Sequence, residues 1–318
     1  MRKIMKILFL TDSHIRGNNP CSRKDDYAEA LKEKHLEIGQ IIKDQNINVV
    51  IHGGDIFHSP DTSKSLISEY IKIFKSWEVP IFCVAGSHDT IAYNEHTISR
   101  TALGVLIAAD VIDPLESIPT EFSSNIFVVG INHSYRLDEN PRNYSLEKND
   151  RDSILIEVVH GMVVDKPFFD EYTLIKDIKT EADILLSGHY HVGWEPQRVN
   201  GTLFINPGSL GRVENIERIF PPSVVILNIE GKDIDYQIVP LKCAKPSEDV
   251  FRNVVKLGNE TSERILDFMK VLSKRPEDLE EQDLKGLILR LAKEENVSDE
   301  VIQEALTLVD EIKNKMEV

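Results

Sequence analysis

Five short polar turns, each carrying Asp or His and each placed just after a short apolar run, constrain this chain more than any other feature. Asp12-Ser13-His14 follows Lys6–Leu10, Gly53-Gly54-Asp55 follows Asn48–Ile51, and Gly86-Ser87-His88-Asp89 follows Ile81–Ala85. His160-Gly161 then follows Ile154–Val159, and Gly188-His189-Tyr190-His191 follows Ile184–Leu186. The length and β-branched content of the runs predict buried strands. In open α/β sheets the crevice beyond the carboxyl ends of the strands is where ligands bind, so the pattern predicts that all five turns converge on one pocket. Glycines beside the polar residues allow tight turns and close backbone approach.

Asp26–Lys43 and Thr62–Trp77 read as helices, so the first third alternates strand, helix, strand, helix, strand, which predicts parallel βαβ units. Asn125–Ile131, Leu203–Ile205 and Ser223–Ile229 read as further strands, and Glu230-Gly231-Lys232-Asp233 as a hairpin turn, so part of the sheet system should be antiparallel. After Leu241 the chain becomes rich in Glu, Lys and Leu. Ile265, Phe268, Met269 and Leu272 share one helical face, Val301, Ala305, Leu308 and Ile312 another, and Ser298 is placed to cap the last helix. The expected organisation is a body over 1–241 and a small helical C-terminal region over 242–318 that packs on the body or docks a partner.

With 37 Lys+Arg against 53 Asp+Glu the formal net charge is −16, which argues against a broad basic groove. An anionic substrate would have to be met locally, where bound cations reverse the sign of an acidic site. Cys21, Cys83 and Cys243 lie far apart without a CxxC pair, which argues against a disulfide framework and a thiolate zinc site and suits a reducing, cytoplasmic setting. The apolar run Ile7–Leu10 is too short for a signal peptide, and no later stretch approaches the roughly 20 residues that span a bilayer, so no membrane association is expected.

Carboxylate and imidazole without thiolate is a donor set for divalent cations of intermediate hardness: Mn²⁺ first, then Fe²⁺ or Zn²⁺, with Mg²⁺ as the harder option. A carboxylate can bridge two such cations. Two metals about 3.5–4 Å apart polarise a phosphoryl oxygen and hold hydroxide in line with the scissile bond. Phosphoester hydrolysis is therefore the expected reaction.

In their order the turns resemble the calcineurin-like metallophosphoesterase superfamily, whose pattern is DxH, GD, GNH(D/E), H and GHxH. That resemblance implies an α/β fold, a four-layer αββα sandwich, with a dinuclear centre. It implies a first metal on Asp12, His14, Asp55 and His191, and a second on Asp55, the Ser87 position, His160 and His189. His88 is then the acid or charge stabiliser facing the leaving group, with Asp89 orienting its ring. Ser87 departs from the pattern, since the family has asparagine there; a hydroxyl is shorter and a poorer ligand than an amide carbonyl. A weaker second site follows or, at the extreme, a low-activity scaffold.

Gly54-Asp55-Ile56-Phe57-His58 is similar to the GDxFH segment of SbcD-type DNA repair nucleases, in which the histidine joins the active site. Asp12–Gly17 resembles their DxHLG start, and Asn206–Leu210 their PGSL turn. This branch implies a manganese-dependent DNA exonuclease or endonuclease of repair and recombination. It also implies a homodimer and a coiled-coil ATPase of the SbcC type, with 262–274 and 299–316 as the docking helices. Arg16, Arg23 and Lys24, in the loop after the first ligand turn, are candidates to contact DNA phosphates. The alternative substrate is a small phosphodiester or phosphomonoester. His35, His52, His96 and His133 have no motif context, although His133, after the Asn125–Ile131 run, could rim the pocket.

Overall fold

Every apolar run named above forms a strand in the computed structural model, which describes residues 4–168, 171–218 and 220–252. The helices expected at 262–274 and 299–316 lie outside the described residues. In chain order the first part is β1 (Met5–Leu10), α1 (Tyr27–Gln45), β2 (Val49–His52), α2 (Lys64–Lys75), β3 (Ile81–Cys83), α3 (Ala102–Ala108) and β4 (Asp113–Pro114). There follow β5 (Thr120–Ser123), β6 (Ile126–Ile131), β7 (Ile154–Gly161), β8 (Val163–Val164), β9 (Thr173–Leu174), β10 (Ile184–His189), β11 (Trp194–Val199), β12 (Thr202–Asn206), β13 (Ser223–Glu230) and β14 (Asp233–Pro240).

Twelve of these strands build two six-stranded mixed sheets, in the orders β14-β13-β1-β2-β3-β4 and β11-β12-β10-β7-β6-β5, while β8 and β9 pair with each other as a short parallel ladder. In the first, β1 to β4 run parallel, as the βαβ reading requires, while β13 lies antiparallel to β1 and β14 antiparallel to β13. The hairpin turn joins Glu230 to Asp233 in register. In the second, β6, β7, β10 and β12 are parallel and the edges β5 and β11 antiparallel.

The period of two along β1 decides the layering. Ile7 and Phe9 join Ile51 on the face that meets Ile156, Ile184 and Ile205 of the second sheet. Leu8 and Leu10 point the other way, into a core shared with Ile38, Phe74 and Leu106 of the three helices. Those helices start where the sequence offers caps: the Asp26 side chain accepts from Glu29 N–H before α1, and Ser63 from Leu66 N–H before α2. Asn46, in the left-handed conformation, closes α1. The outer face of the second sheet is covered by a separate cluster that includes Leu137, Tyr144, Ile175 and Trp194.

Just past Leu241 the chain stays in contact with α1 and the loop before it. Lys242 and Cys243 N–H groups donate to the Glu37 carboxylate, and Phe251 packs at 5.7 Å from the Arg23 guanidinium and 5.3 Å from that of Arg212. No helix among the described residues is long and apolar enough to cross a membrane.

Candidate metal centre

Parallel strands deliver their carboxyl ends to one edge, and hydrogen bonds between the turns then draw the donors together. Asp12 N–H donates to Gly54 O (3.1 Å) and His14 N–H to Asp55 O (2.9 Å), which stitches the first turn to the second. His189 N–H donates to both Asp12 carboxylate oxygens, at 3.2 and 3.1 Å, which brings the last turn onto the first. His88 N–H donates to Asp55 Oδ1 (2.7 Å) and adds the third. Asp12, His14, Asp55 and His189 all hold positive φ, between 48° and 74°. That region is uncommon for residues with a Cβ, and such strain collects where function over-determines the backbone.

Two glycines are required at close approaches. A Cβ on Gly86 would stand 2.1 Å from Asp55 Oδ1, and one on Gly54, whose φ is +96°, would stand 2.3 Å from His160 Nδ1.

The donors fall into overlapping groups whose nitrogen and oxygen atoms lie within 4.8 Å of one another: Asp12, His14, Asp55 and His191; then Asp55, His160 and His189; and a third of His14, His58 and His88. Asp55 belongs to the first two. His14 Nε2 and His191 Nε2 are 2.9 Å apart, with Asp12 Oδ1 3.5 Å from the latter. Ser87 Oγ donates to Asp55 Oδ2 at 3.2 Å, so the serine stands beside the second group.

The ring contacts of this donor set suit a cation. His160 Nδ1 lies 2.7 Å from Gly53 O, so Nε2 is the nitrogen that offers a lone pair once the ring is neutral; it is buried, makes no hydrogen bond among the described residues, and lies 3.3 Å from Asp55 Oδ2. His191 Nδ1 meets the buried Glu217 carboxylate at 3.2 Å, again freeing Nε2 for the cluster. A ring nitrogen held from behind by a carbonyl or carboxylate is the arrangement that orients metal-binding histidines.

The charges are tightly linked. Burial works to raise Asp55, yet His160 first and then His14 hold its carboxyl well below the usual carboxylate range. Burial works to lower His160, and Asp55 overcomes it and lifts the ring to about 9. His191 is likewise raised against burial, by Asp12 and Glu217. Burial, then the neighbouring His191, lowers His14, while burial and then His160 lower His189. Imidazoles must shed a proton to bind a metal, so a cation entering this set releases protons and binds more tightly as pH rises.

The remaining predicted residues are placed unevenly. His58 reaches the cluster: its Nδ1 is 3.4 Å from His14 Nδ1, its ring stacks on His88 at 4.9 Å, and Arg16 Nη1 donates to its Nε2 at 3.0 Å. Burial and then Arg16 push His58 down to about 4. Asp89 is a correction. Its carboxylate accepts from the backbone N–H groups of Gly86, Ile56 and Phe57, so it joins two turns, while His88 Nδ1 donates to His58 O (2.8 Å) and takes its ring orientation from there. Burial first, then Asp55, raises Asp89 to about 6.

Arg23 is the second correction. It is 1% exposed, its guanidinium donates to Asp25 and to the carbonyls of Gly211 and Arg212, and no part of it is open to a phosphate. Lys24 is exposed, and Arg16 is half-buried beside His58.

Sequence motifs missed three supports. Glu217 positions His191 from 26 residues away. Ser13, between the two residues of the first motif, sits in a buried hydrogen-bond chain. Gly54 N–H donates to His52 Nδ1, His52 Nε2 is 2.8 Å from Ser13 Oγ, Ser13 Oγ is 3.2 Å from His35 Nε2, and His35 Nδ1 is 2.9 Å from Leu31 O. His133 lies against two predicted ligands, its ring centroid 5.0 Å from that of His189 and 5.9 Å from that of His160. For His133 the position after a strand was the only signal.

A family model described as the calcineurin-like phosphoesterase superfamily domain matches residues 5–232, most of the chain. The chain belongs to that superfamily. As a calcineurin-like phosphoesterase it is a hydrolase of a family that uses divalent metals, and the donor clusters above fit that chemistry. Among curated proteins, the DNA double-strand break repair protein Mre11 of Sulfolobus acidocaldarius is 25% identical over 225 residues, 67% of this chain and 57% of that protein. The protein of the same name from Archaeoglobus fulgidus is 25% identical over 234 residues, 66% of this chain and 51% of its own length. The chain spans about half the length of these relatives. Among solved structures, a dimetal phosphatase from Danio rerio superposes with a TM-score of 0.47 at 12% identity, covering 74% of this chain and 98% of that one.

Proposed function

We propose that this calcineurin-like phosphoesterase is a DNA nuclease that hydrolyses phosphodiesters at a two-metal centre, Mn²⁺ being the preferred cation. The observation that carries the reading is the pair of donor groups sharing Asp55, with His58 and His88 stacked beside them. The GDxFH segment and the similarity to DNA repair proteins named Mre11 support DNA as the substrate.

In this reading Asp12, His14, Asp55 and His191 hold one cation, and Asp55, Ser87, His160 and His189 the other. When bound, the two cations neutralise charge on the phosphoryl oxygens and lower the pKa of water near neutral pH. The protein's own groups do the rest. Glu217 and the Gly53 carbonyl fix the rings of His191 and His160. The His58 carbonyl holds His88 Nδ1–H, leaving Nε2 as the nitrogen that passes a proton to the departing sugar oxygen. Asp89 keeps the Gly86–His88 turn against Ile56 and Phe57, which sets the distance between His88 and Asp55. Arg16, beside His58, and Lys24 contact phosphates of the strand.

Residues 1–241 form the nuclease domain in this proposal, and the chain beyond it supplies a docking element for a coiled-coil ATPase of the SbcC type, with the active assembly a homodimer in the cytoplasm. The burial of Arg23 thins the basic loop and favours, as the second reading, a small phosphodiester substrate. One assay separates the two: single-stranded, blunt and hairpin DNA against cyclic nucleotides and aryl phosphates, each with Mn²⁺, Mg²⁺ or chelator. Mn²⁺-dependent shortening of DNA is expected. Turnover of the small esters with intact DNA would overturn the nuclease reading.

A further inference from the structure

Beside His160 and His189, three segments meet at the end of β3. Ala85 N–H donates to Asn132 Oδ1 (2.8 Å), His133 N–H donates to Ala85 O (2.9 Å), and Asn132 Nδ2 reaches Glu95 Oε2 (3.2 Å). These bonds tie the chain after β6 and the turn at 91–97 to the strand that presents Ser87 and His88. The turn is internally fastened by Asn94 N–H to Ile91 O (3.2 Å) and Ile91 N–H to Thr97 Oγ1 (2.8 Å). Within it Ala92 and Tyr93 have φ of 52° and 57°, two successive non-glycine residues in the left-handed region. Strain of that kind persists only where the surroundings impose it.

What the turn presents is the Tyr93 ring. It is 51% exposed, yet its centroid lies 5.4 Å from that of His133, which in turn packs on His189 and His160. Tyr93 meets His133 edge to face at 64°, and His133 meets His160 at 87° and His189 at 36°, so a chain of ring contacts leads from the imidazoles of the second donor group to the exposed tyrosine.

Charge alone leaves a polyanion weakly held here. The chain carries a net −16, and Arg23 is buried in an internal ion pair. Base stacking supplies affinity that does not depend on phosphate contacts, and every base offers a ring face, so it needs no sequence readout. We infer that the exposed ring of Tyr93, buttressed edge-on by His133, is a stacking platform for a nucleobase next to the scissile phosphodiester, which makes Tyr93 a specificity-determining residue for nucleotide substrates. This rests on the nuclease reading above.

The test is a cycle of protein and DNA variants on the full chain. Wild type, Tyr93→Ala and Tyr93→Phe are titrated, with Ca²⁺ in place of Mn²⁺, against single-stranded oligodeoxynucleotides. Each oligonucleotide has an abasic site or 2-aminopurine at one of the terminal positions of either end. At one position, loss of the base weakens wild-type binding about tenfold, the scale of one base–aromatic contact. Tyr93→Ala removes that sensitivity and the quenching of 2-aminopurine there, raising KM with little change in kcat, and Tyr93→Phe restores both. If base and abasic oligonucleotides lose equally in wild type and Tyr93→Ala while Mn²⁺-dependent cleavage persists, the platform is overturned and the nuclease reading stands. If wild type neither binds nor cleaves DNA, both are overturned.

Discussion

Glu217 offers the sharpest test of how the centre is held. The residue is 3% exposed. Oε1 accepts from Glu214 N–H (2.8 Å) and meets His191 Nδ1 (3.2 Å), while Oε2 accepts from Val213 N–H (3.0 Å). Glu217→Gln keeps the shape but offers one acceptor and one amino group. With the amide oxygen at Oε1, the contacts to His191 and Glu214 survive and the new amino group faces Val213 N–H, leaving a buried donor unpaired. That costs about 1–3 kcal/mol. The flipped amide loses two contacts instead of one, so this is the smaller penalty. For a domain of this size the metal-free melting temperature should fall by roughly 2–12 °C. A second effect is separate: an amide makes His191 less basic than a carboxylate does, and removing such a support lowers metal affinity by about 10–100-fold. Calorimetric melting of the metal-free protein reads the first effect and Mn²⁺ titration reads the second. Unchanged melting together with wild-type Mn²⁺ affinity would refute the reasoning, because neither the buried carboxylate nor its bond to His191 would then matter.

Three further expectations follow from the same geometry. His88→Ala should keep its bound metal, by elemental analysis, and lose about 10²–10⁴-fold in turnover on DNA; an active variant would remove His88 from proton transfer. Ser87→Asn should tighten the weaker of two sequential Mn²⁺ binding events in a calorimetric titration, since an amide carbonyl reaches further than a hydroxyl; an unchanged second event would mean that position 87 does not touch the cation. Glu157, buried in β7 with Thr180 Oγ1 donating to Oε2, is raised to about 8 by burial, so between its ordinary value and 8 the folded protein binds a proton that the unfolded chain has released. Stability should therefore fall as pH rises through that window, and Glu157→Gln should flatten the decline in unfolding free energy, read by denaturant titration at each pH, by a few kcal/mol at most; parallel curves for the two proteins would refute it.

The polar turns and the strands before them were legible because both signals are local. A short β-branched run is buried wherever it lands, and a parallel strand delivers whatever follows it to the same edge of its sheet, so Asp12, Asp55, His160 and His191 could be placed together from order alone. The hairpin at Glu230–Asp233 was legible for the same reason. Neighbours in space but not in sequence were not. Arg23 and Lys24 are adjacent, yet one is sealed beneath Phe251 with its guanidinium on Gly211 O, 188 positions away, and the other is exposed. Asp89 follows His88 in the chain, but a short 3-10 turn directs its carboxylate to Ile56 and Phe57, so adjacency misassigned its role. Glu217 came to the site only through long-range hydrogen bonding, and His133, flagged only by its position after a strand, packs on His160 and His189. Residue types and their order determined that this chain gathers carboxylates and imidazoles at one edge; which of them face each other, and what holds each ring, depended on long-range contacts that no local pattern encodes.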